Sequence, residues 1–287
     1  MNLKRLTLAL ALAGLPSLCF ATQVLTSLPV THSLASALLD GTAVQLTRAA
    51  PANLPASRQP AYFSGRGGAN LHEAAQQADA VIGVRSIWRD DPLYPMARRS
   101  NIRIVEIDAA RPLDGALPGI AVSGDDAYGA YPWLNPSNLG RMADVMANDL
   151  GRLAPEAKTT IQANLARLKR QLLELAASSQ TRLAKVDNLT VVSLSERLGY
   201  LASGLNLDVL EQPLPAAWDT AALQALEQNL KTQEVAVVLD HRQPQPAVIE
   251  VIRAAGAKLV VVESDPEDAL AGLEASVDQV VGALSGG

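Results

Sequence analysis

The longest uninterrupted helical pattern in the chain runs from Pro155 to Lys185. Leucine and isoleucine recur along it at alternating steps of four and three, with charged and amide residues between them, as on one face of an α-helix. Proline suits the first turn, and no Gly or Pro follows it. About 30 residues extend roughly 45 Å, more than one small domain requires. We predict a helix that spans two lobes; a coiled coil, the alternative, would sustain the apolar seam beyond Ser179.

Strand and helix patterns alternate on both sides of this helix, which indicates parallel sheets. The apolar runs that predict strands are residues 22–28, 43–46, 80–84, 102–107, 189–193, 207–210, 235–239 and 258–262. We therefore predict an α/β fold in which two parallel-sheet lobes are joined by one long, rigid helix. The expected parts are a lobe over residues 22–152, the linking helix over 153–185 and a lobe over 186–287.

Two long loops interrupt this alternation before the linking helix. Residues 47–68 are rich in Pro, Ser and Gly, and the stretch 113–132, which includes Tyr128, is rich in Gly. Ligands of parallel α/β sheets bind beyond the carboxyl ends of the strands. We therefore expect a ligand cleft between the lobes, where loops from both lobes meet.

The first 21 residues have the pattern of a secretory signal peptide. Lys4 and Arg5 precede an apolar run over residues 6–15, and Ala21 provides a small residue for cleavage. The apolar run is too short for a membrane span. Cleavage would remove Cys19, the single cysteine, so we expect a periplasmic protein that has neither disulfides nor a cysteine metal site.

The charge and motif content narrow the class of function. The chain has a net charge of −5, and removing the two basic residues of the signal makes it −7, so nothing favours nucleic-acid binding. The sequence contains no nucleophile elbow, P-loop, zinc-protease or dinucleotide motif. Ser195 and His241 have no spacing typical of a catalytic triad. We predict a binding protein and not an enzyme.

Several segments together resemble the periplasmic metal-binding proteins of zinc and manganese ABC importers. The most specific is Trp133-Leu134-Asn135-Pro136 followed by Asn138, which is similar to the family's His-x-Trp-Leu-Asp-Pro run. The others are THSLASALLDG, QQADAVIGV, IRIVEID and RLGYLASGLNLDV. The resemblance covers nearly all of the chain after the signal. It implies two lobes with a ligand between them and an ABC permease of the inner membrane as partner.

The histidines that bind metal in that family are absent at the matching positions. Residues 60–63, Pro-Ala-Tyr-Phe, stand where the resemblance places a Pro-His pair, and Tyr131 and Ser195 stand at the next two histidine positions. The fourth ligand in that family is a carboxylate after the last strand, for which Glu263 and Asp265 are the candidates here. Zinc and manganese need several converging donors, so this set predicts a poor site for a bare divalent ion.

Three histidines occur elsewhere in the chain. His32 follows the first strand and can face the cleft, although a polar role in the first turn of a helix is the more ordinary interpretation. His72 fits a solvated helix face. His241 follows a strand at its carboxyl end and is the best of the three for ligand contact. Their spacing does not support a three-histidine metal site; His32, Glu263 and Asp265 remain weak metal candidates.

Aromatic and arginine side chains gather instead in the loops at predicted strand ends. The residues predicted to contact a ligand are Tyr62, Arg66, Arg85, Trp88, Tyr131, Ser195, Arg197, His241 and Arg242. Aromatic faces and guanidinium groups suit a large, flat, anionic ligand. Arginine beside a bare cation would repel it. The ordinary alternative for such side chains is core packing or a solvated face.

We therefore expect a periplasmic solute-binding protein for metal acquisition that binds a metal chelate or siderophore, such as ferric pyoverdine or the freed siderophore. Some siderophore systems, including that of pyoverdine, use periplasmic proteins that resemble this family. Any metal, such as iron, is then expected only inside the chelate. A second periplasmic binding protein is a further candidate partner. The alternatives are a direct zinc, manganese or iron receptor with an atypical site, and a metallochaperone or adhesin-like interaction protein.

Overall fold

The computed structural model describes residues 21–113, 117–120 and 130–286. Residues 1–20 of the predicted signal peptide lie outside the described residues, as do Tyr128 and much of the predicted loop over 113–132. Within the described ranges, no helix is long and apolar enough to cross a membrane.

Lobe one is a parallel sheet of four strands in the order β2-β1-β3-β4. The strands are β1 (Gln23–Thr26), β2 (Gln45–Arg48), β3 (Ala80–Gly83) and β4 (Val105–Asp108). The helices are α1 (Pro29–Leu39), α2 (Gln59–Ser64), α3 (Gly68–Gln77) and α4 (Leu93–Ser100). All four residues of β3 are buried, because this strand lies inside the sheet and helices cover both faces.

Lobe two repeats the same topology, with the strand order β6-β5-β7-β8. The strands are β5 (Thr190–Ser193), β6 (Asp208–Leu210), β7 (Val237–Asp240) and β8 (Lys258–Val261). Its helices include α7 (Gly199–Gly204), α8 (Thr220–Thr232), α9 (Pro246–Ala254) and α10 (Ala269–Ser285). The predicted class, two parallel α/β lobes, is confirmed.

Two helices connect the lobes. Helix α5 (Pro136–Leu153) begins at Asn135, whose side-chain oxygen accepts hydrogen bonds from the backbone N–H groups of Ser137 at 2.9 Å and Asn138 at 3.4 Å. After a 3₁₀ turn, the 26-residue helix α6 (Lys158–Leu183) crosses between the lobes. The residues of its predicted stripe are all buried, namely Ile161, Leu165, Leu168, Leu172 and Leu175. The predicted long linking helix is therefore confirmed.

One hydrophobic cluster extends through both lobes. Val24 and Ile82 of the first sheet belong to the same cluster as Val191 and Leu239 of the second, joined through α6. Separate apolar clusters cover the outer face of each sheet. The lobes therefore share one core and are not two independently packed units.

The sequence prediction was wrong for two local segments. Residues 47–68, predicted as a loop, contain a 3₁₀ turn and helix α2, because Pro60 starts a helical turn and Phe63 packs into the lobe-one core. Helix α7 was not predicted. It has six residues and two glycines, so it carries too little periodic pattern to be recognised, although Leu201 and Ala202 are buried.

Asn164 fixes α1 against α6. Its side-chain N–H₂ group donates to the carbonyl oxygens of Leu38 at 3.0 Å and Asp40 at 2.8 Å, at the end of α1, where carbonyls lack helical partners.

We expect Asn164→Leu to lower the free energy of unfolding by about 1–3 kcal/mol, because two carbonyl oxygens lose their hydrogen-bond donor. Urea denaturation measures this loss. The control, Gln162→Leu, changes an exposed neighbour, and equal midpoints for the two variants would contradict the assignment.

Candidate functional site

The carboxyl ends of strands from the two lobes meet at one junction. Arg48, the last residue of β2, donates from Nη1 to Glu267 Oε2, which follows β8, at 2.6 Å. The hydroxyl oxygen of Ser33 in α1 accepts a hydrogen bond from the backbone N–H of Ala269 at 2.8 Å. Both contacts join lobe one to lobe two. Parallel sheets usually bind ligands at this edge, so the junction is the candidate functional site.

Tyr131, Arg197 and Asp265 form the centre of the junction. Tyr131, which precedes α5, is 2% exposed, and its hydroxyl group donates to the Asp265 carboxyl group. The Arg197 guanidinium carbon lies 4.9 Å from the centroid of the Tyr131 ring, within the range of a cation–π contact. The structure thus brings together three side chains that the sequence had suggested separately.

Burial sets the protonation of this centre. Loss of hydration raises the pKa of Asp265 above its ordinary value of 3.8, and the nearby Arg197 charge opposes this rise only in part. Burial also raises the pKa of the Tyr131 hydroxyl group, so the phenol stays protonated. The Tyr131–Asp265 contact therefore has a fixed donor, the phenol, and a carboxyl group that is poorly hydrated.

An aromatic cluster lies under this centre. The ring centroids of Trp88 and Trp133 are 5.0 Å apart, and that of Trp88 is 5.4 Å from that of Tyr131. Trp133 Nε1 donates to the Ser264 carbonyl oxygen at 3.3 Å across the lobes, and Trp88 Nε1 donates to the Ala130 carbonyl oxygen at 2.9 Å. Trp88 is 1% exposed. The structure therefore corrects the prediction that its ring stacks on a ligand: the ring packs against other aromatic rings and has no free face.

His241 and Arg242 follow β7 beside this centre. His241 Nδ1 lies 3.2 Å from Asp240 Oδ1, while burial, followed by the Arg197 charge, lowers the pKa of His241. The imidazole is therefore neutral at pH 7. Arg242 is exposed. Both residues lie at the strand end where the sequence predicted them.

Ser195 and Arg197 are held by hydrogen bonds within lobe two. The hydroxyl oxygen of Ser195 accepts from the backbone N–H of Arg197 at 3.3 Å, and Ser195 is buried. Arg197 Nη1 donates to the Ser264 hydroxyl oxygen at 3.2 Å. Ser195 therefore shapes the turn that positions Arg197, and the guanidinium group is the side chain that faces Tyr131.

The other predicted ligand residues lie away from the junction. Arg85 pairs with Glu106, with 3.2 Å between Nη1 and Oε1, at the edge of lobe one. The guanidinium carbon of Arg66 lies 5.5 Å from the ring centroid of Tyr62, which packs on the outer apolar cluster of the same lobe. The structure thus corrects the expectation of one shared site, because these side chains turn to the outer surface of lobe one.

The weak metal candidates do not form a metal site. His32 Nδ1 lies 2.9 Å from the Thr26 hydroxyl oxygen, and burial together with the Arg48 charge lowers the pKa of His32. Glu263 is exposed, and Asp265 is engaged with Tyr131. In the part of the chain that the structure describes, no three His, Cys, Asp or Glu side chains are placed to hold a metal ion.

Two contributors to the junction, Arg48 and Glu267, were not predicted. Arg48 is the last residue of a strand with only partly buried side chains, and Glu267 lies two residues beyond the carboxylate candidate Asp265. Their positions at or after the end of a strand could have indicated that both lie near the junction. Their pairing could not be predicted, because the two residues are 219 positions apart in sequence.

Comparison with known proteins assigns the family. A family model described as "ZnuA: Zinc-uptake complex component A periplasmic" matches residues 67–278. This chain belongs to that family. The suspected relationship to periplasmic metal-binding proteins of ABC importers is confirmed, and members of such a family are solute-binding proteins that work with a permease. No curated protein matches the sequence.

Solved structures show the same fold at low sequence identity. A FpvC mutant from Pseudomonas aeruginosa has a TM-score of 0.72 and 20% identity over 92% of this chain and 100% of its own. A crystal structure of ZnuA has a TM-score of 0.68 and 18% identity, over 93% of this chain and 100% of its own. A metal-free periplasmic metal-binding protein mutant from Candidatus Liberibacter asiaticus has a TM-score of 0.69 and 15% identity, over 92% and 99%.

The raised pKa of Asp265 predicts how stability depends on pH. The folded state holds the Asp265 proton more tightly than the unfolded state does. This tighter proton binding stabilises the folded state. The stabilisation is complete below the ordinary pKa of an aspartate and is lost as the pH rises through the raised pKa of Asp265. Asp265→Asn keeps an oxygen that accepts from Tyr131 but removes this titration. We expect the unfolding free energy of the variant, relative to wild type, to increase from about pH 4 to about pH 7.

Urea denaturation at several pH values measures that difference. Asp187→Asn, at an exposed position in lobe two, is the control for the loss of one negative charge. A difference between Asp265→Asn and wild type that stays constant across the range would contradict the assignment.

Proposed function

We propose that this protein is the receptor of an ABC importer that takes up a metal chelate, or the freed chelator, and not a bare ion. The observation that carries the proposal is the Tyr131–Asp265 pair beneath the Arg197 guanidinium group, at positions that the family resemblance assigns to metal ligands. A divalent cation there would meet a fixed positive charge and a single engaged carboxyl group.

The polar groups at the junction suit an oxygen-rich anion. Arg197 is oriented by Ser264 and by the Tyr131 ring, and Arg242 is exposed at the neighbouring strand end. Guanidinium groups form paired, charge-assisted hydrogen bonds with oxyanions, which the coordinating oxygens of a siderophore resemble. Iron would then enter the site within the chelate and would need no protein ligand.

The direct-receptor alternative has a specific basis in a structural neighbour. One solved structure holds the solute-binding protein FpvC from P. aeruginosa in complex with a Ni²⁺ ion, with a TM-score of 0.67 and 18% identity to this chain. The bound ion is a property of FpvC. The donor set of the present junction favours the chelate, and a second periplasmic protein that handles the bare ion is a partner consistent with this division.

Native mass spectrometry separates the two functions. Purified protein is mixed with ferric pyoverdine, with pyoverdine alone, and with Zn²⁺, Mn²⁺ or Ni²⁺ alone. We expect a one-to-one complex with the siderophore, in its ferric or free form, that survives competition with EDTA. Tight capture of zinc or manganese without any organic carrier would contradict the proposal and support the direct-receptor alternative.

Substitution of the junction arginines tests the site itself. We expect Arg197→Gln and Arg242→Gln each to weaken siderophore binding by about tenfold or more, because each removes charge-assisted hydrogen bonds. Titration calorimetry measures the affinity. Arg170→Gln, at an exposed position on α6, is the matched control and should bind like wild type.

Arg242 is exposed, so its replacement leaves the fold intact and a loss of binding reports on contact. Thermal melts of all three variants identify any loss due to unfolding. If Arg197→Gln and Arg242→Gln both bind like Arg170→Gln, the chelate does not contact this edge of the junction.

A further inference from the structure

A second concave surface lies wholly within lobe one. A cavity of about 600 Å³ occupies the groove between α4 and the edge strand β4, and we call it the lobe-one groove. Its polar lining consists of Arg85, Ser86, Tyr94, Arg98, Glu106, Asp108 and Arg111. The volume is in the range of small-molecule sites. None of the junction residues lines it, so the chelate proposal leaves it unexplained.

The ring of Tyr94 gathers two positive charges in this groove. The guanidinium carbons of Arg85 and Arg98 lie 5.6 and 5.7 Å from its centroid. Arg98 Nη1 also donates to the Tyr94 hydroxyl oxygen at 2.6 Å. Both guanidinium groups line the groove, so it offers an oxyanion two positively charged hydrogen-bond donors.

Three arginines and two carboxylates line the groove, and the two carboxylates are already engaged with other groups. Asp108 accepts hydrogen bonds from Ser86 N and Oγ, both at 2.7 Å, and from Ala110 N at 3.0 Å, so its oxygens fix the local turns. Glu106 pairs with Arg85, but burial raises the pKa of its carboxyl group. Among the described residues, Arg98 and Arg111 have no carboxylate within ion-pair distance.

Apolar surface adjoins the arginines. Val105 is 38% exposed and Leu113 is 58% exposed, and both line the groove. Val105 and Leu113 therefore give the groove an apolar surface beside its charged groups. A ligand with a charged end and an apolar body would cover both features.

We propose that the lobe-one groove binds a small organic carboxylate, with its oxyanion held by Arg85 and Arg98 and its apolar body covering Val105 and Leu113. The site is independent of the chelate site at the junction. Its occupant competes with Glu106 for Arg85, because one guanidinium group serves both carboxylates. Replacing Glu106 with a neutral amide therefore favours the ligand.

Titration calorimetry at low salt tests the proposal with three probes: sodium benzoate, inorganic phosphate and neutral benzamide. We expect saturable binding of benzoate, weaker binding of phosphate, which lacks an apolar body, and none of benzamide, which lacks the charge. Absence of saturable benzoate binding, or equal binding of benzamide, would overturn the proposal. Phosphate binding as tight as benzoate would overturn the role of Val105 and Leu113.

Three variants locate the benzoate site. Arg98→Gln should weaken binding by about tenfold or more, whereas Arg99→Gln, at the exposed neighbouring position that does not line the groove, should match wild type. Glu106→Gln should tighten binding, an effect that partial unfolding would not produce. Equal losses in the Arg98 and Arg99 variants would show only diffuse attraction to surface charge and would refute the site.

Discussion

The buried leucine stripe of α6 is the constraint on which the rest of the molecule depends. One face of this helix packs against α1 and α5 of lobe one and against α10 of lobe two, so the apolar core is continuous between the lobes. Moving the lobes apart would return that apolar surface to water, at about 25 cal/mol for each Å² exposed. The relative position of the two sheets is therefore set by the core of the protein, before any ligand arrives.

A fixed junction changes how recognition can work. The Arg48–Glu267 pair and the Trp133–Ser264 hydrogen bond cross from one lobe to the other. The ion pair adds little on its own, because the Glu267 side chain is 63% exposed, and the shared core determines the geometry. Side chains at the strand ends are thus held in place in the free protein. Preorganisation of this kind reduces the entropy lost on binding and favours small side-chain adjustments over a large hinge rotation.

The sequence predicted the scaffold well and the site in part, for physical reasons that differ. Sheet strands and the α6 stripe are visible because burial imposes a period on the residues, and the alternation of strand and helix implies parallel sheets. His241 was expected at this edge because it follows a strand at its carboxyl end, and Tyr131 because the family resemblance places it at a metal-ligand position. The direction in which a loop side chain points leaves no periodic pattern in the sequence. Arg85 turns to the outer edge of lobe one and Trp88 turns inward, although both follow β3. Only the packed structure shows which of the two is buried.

If the proposed chelate site is correct, this scaffold has changed its class of ligand. A metal site needs donors that are free to coordinate, but the Asp265 carboxyl group already accepts the Tyr131 proton donor in a poorly hydrated setting. A cation entering there would have to displace that hydrogen bond and approach the Arg197 charge, and both steps cost free energy. The Arg197 guanidinium group supplies N–H donors beside the positions where the family's imidazoles would supply lone pairs, so the polarity of the site is reversed. The proposed ligand presents oxygen atoms outward, with any metal already coordinated inside it, and would meet that reversed polarity without displacing the Tyr131–Asp265 hydrogen bond.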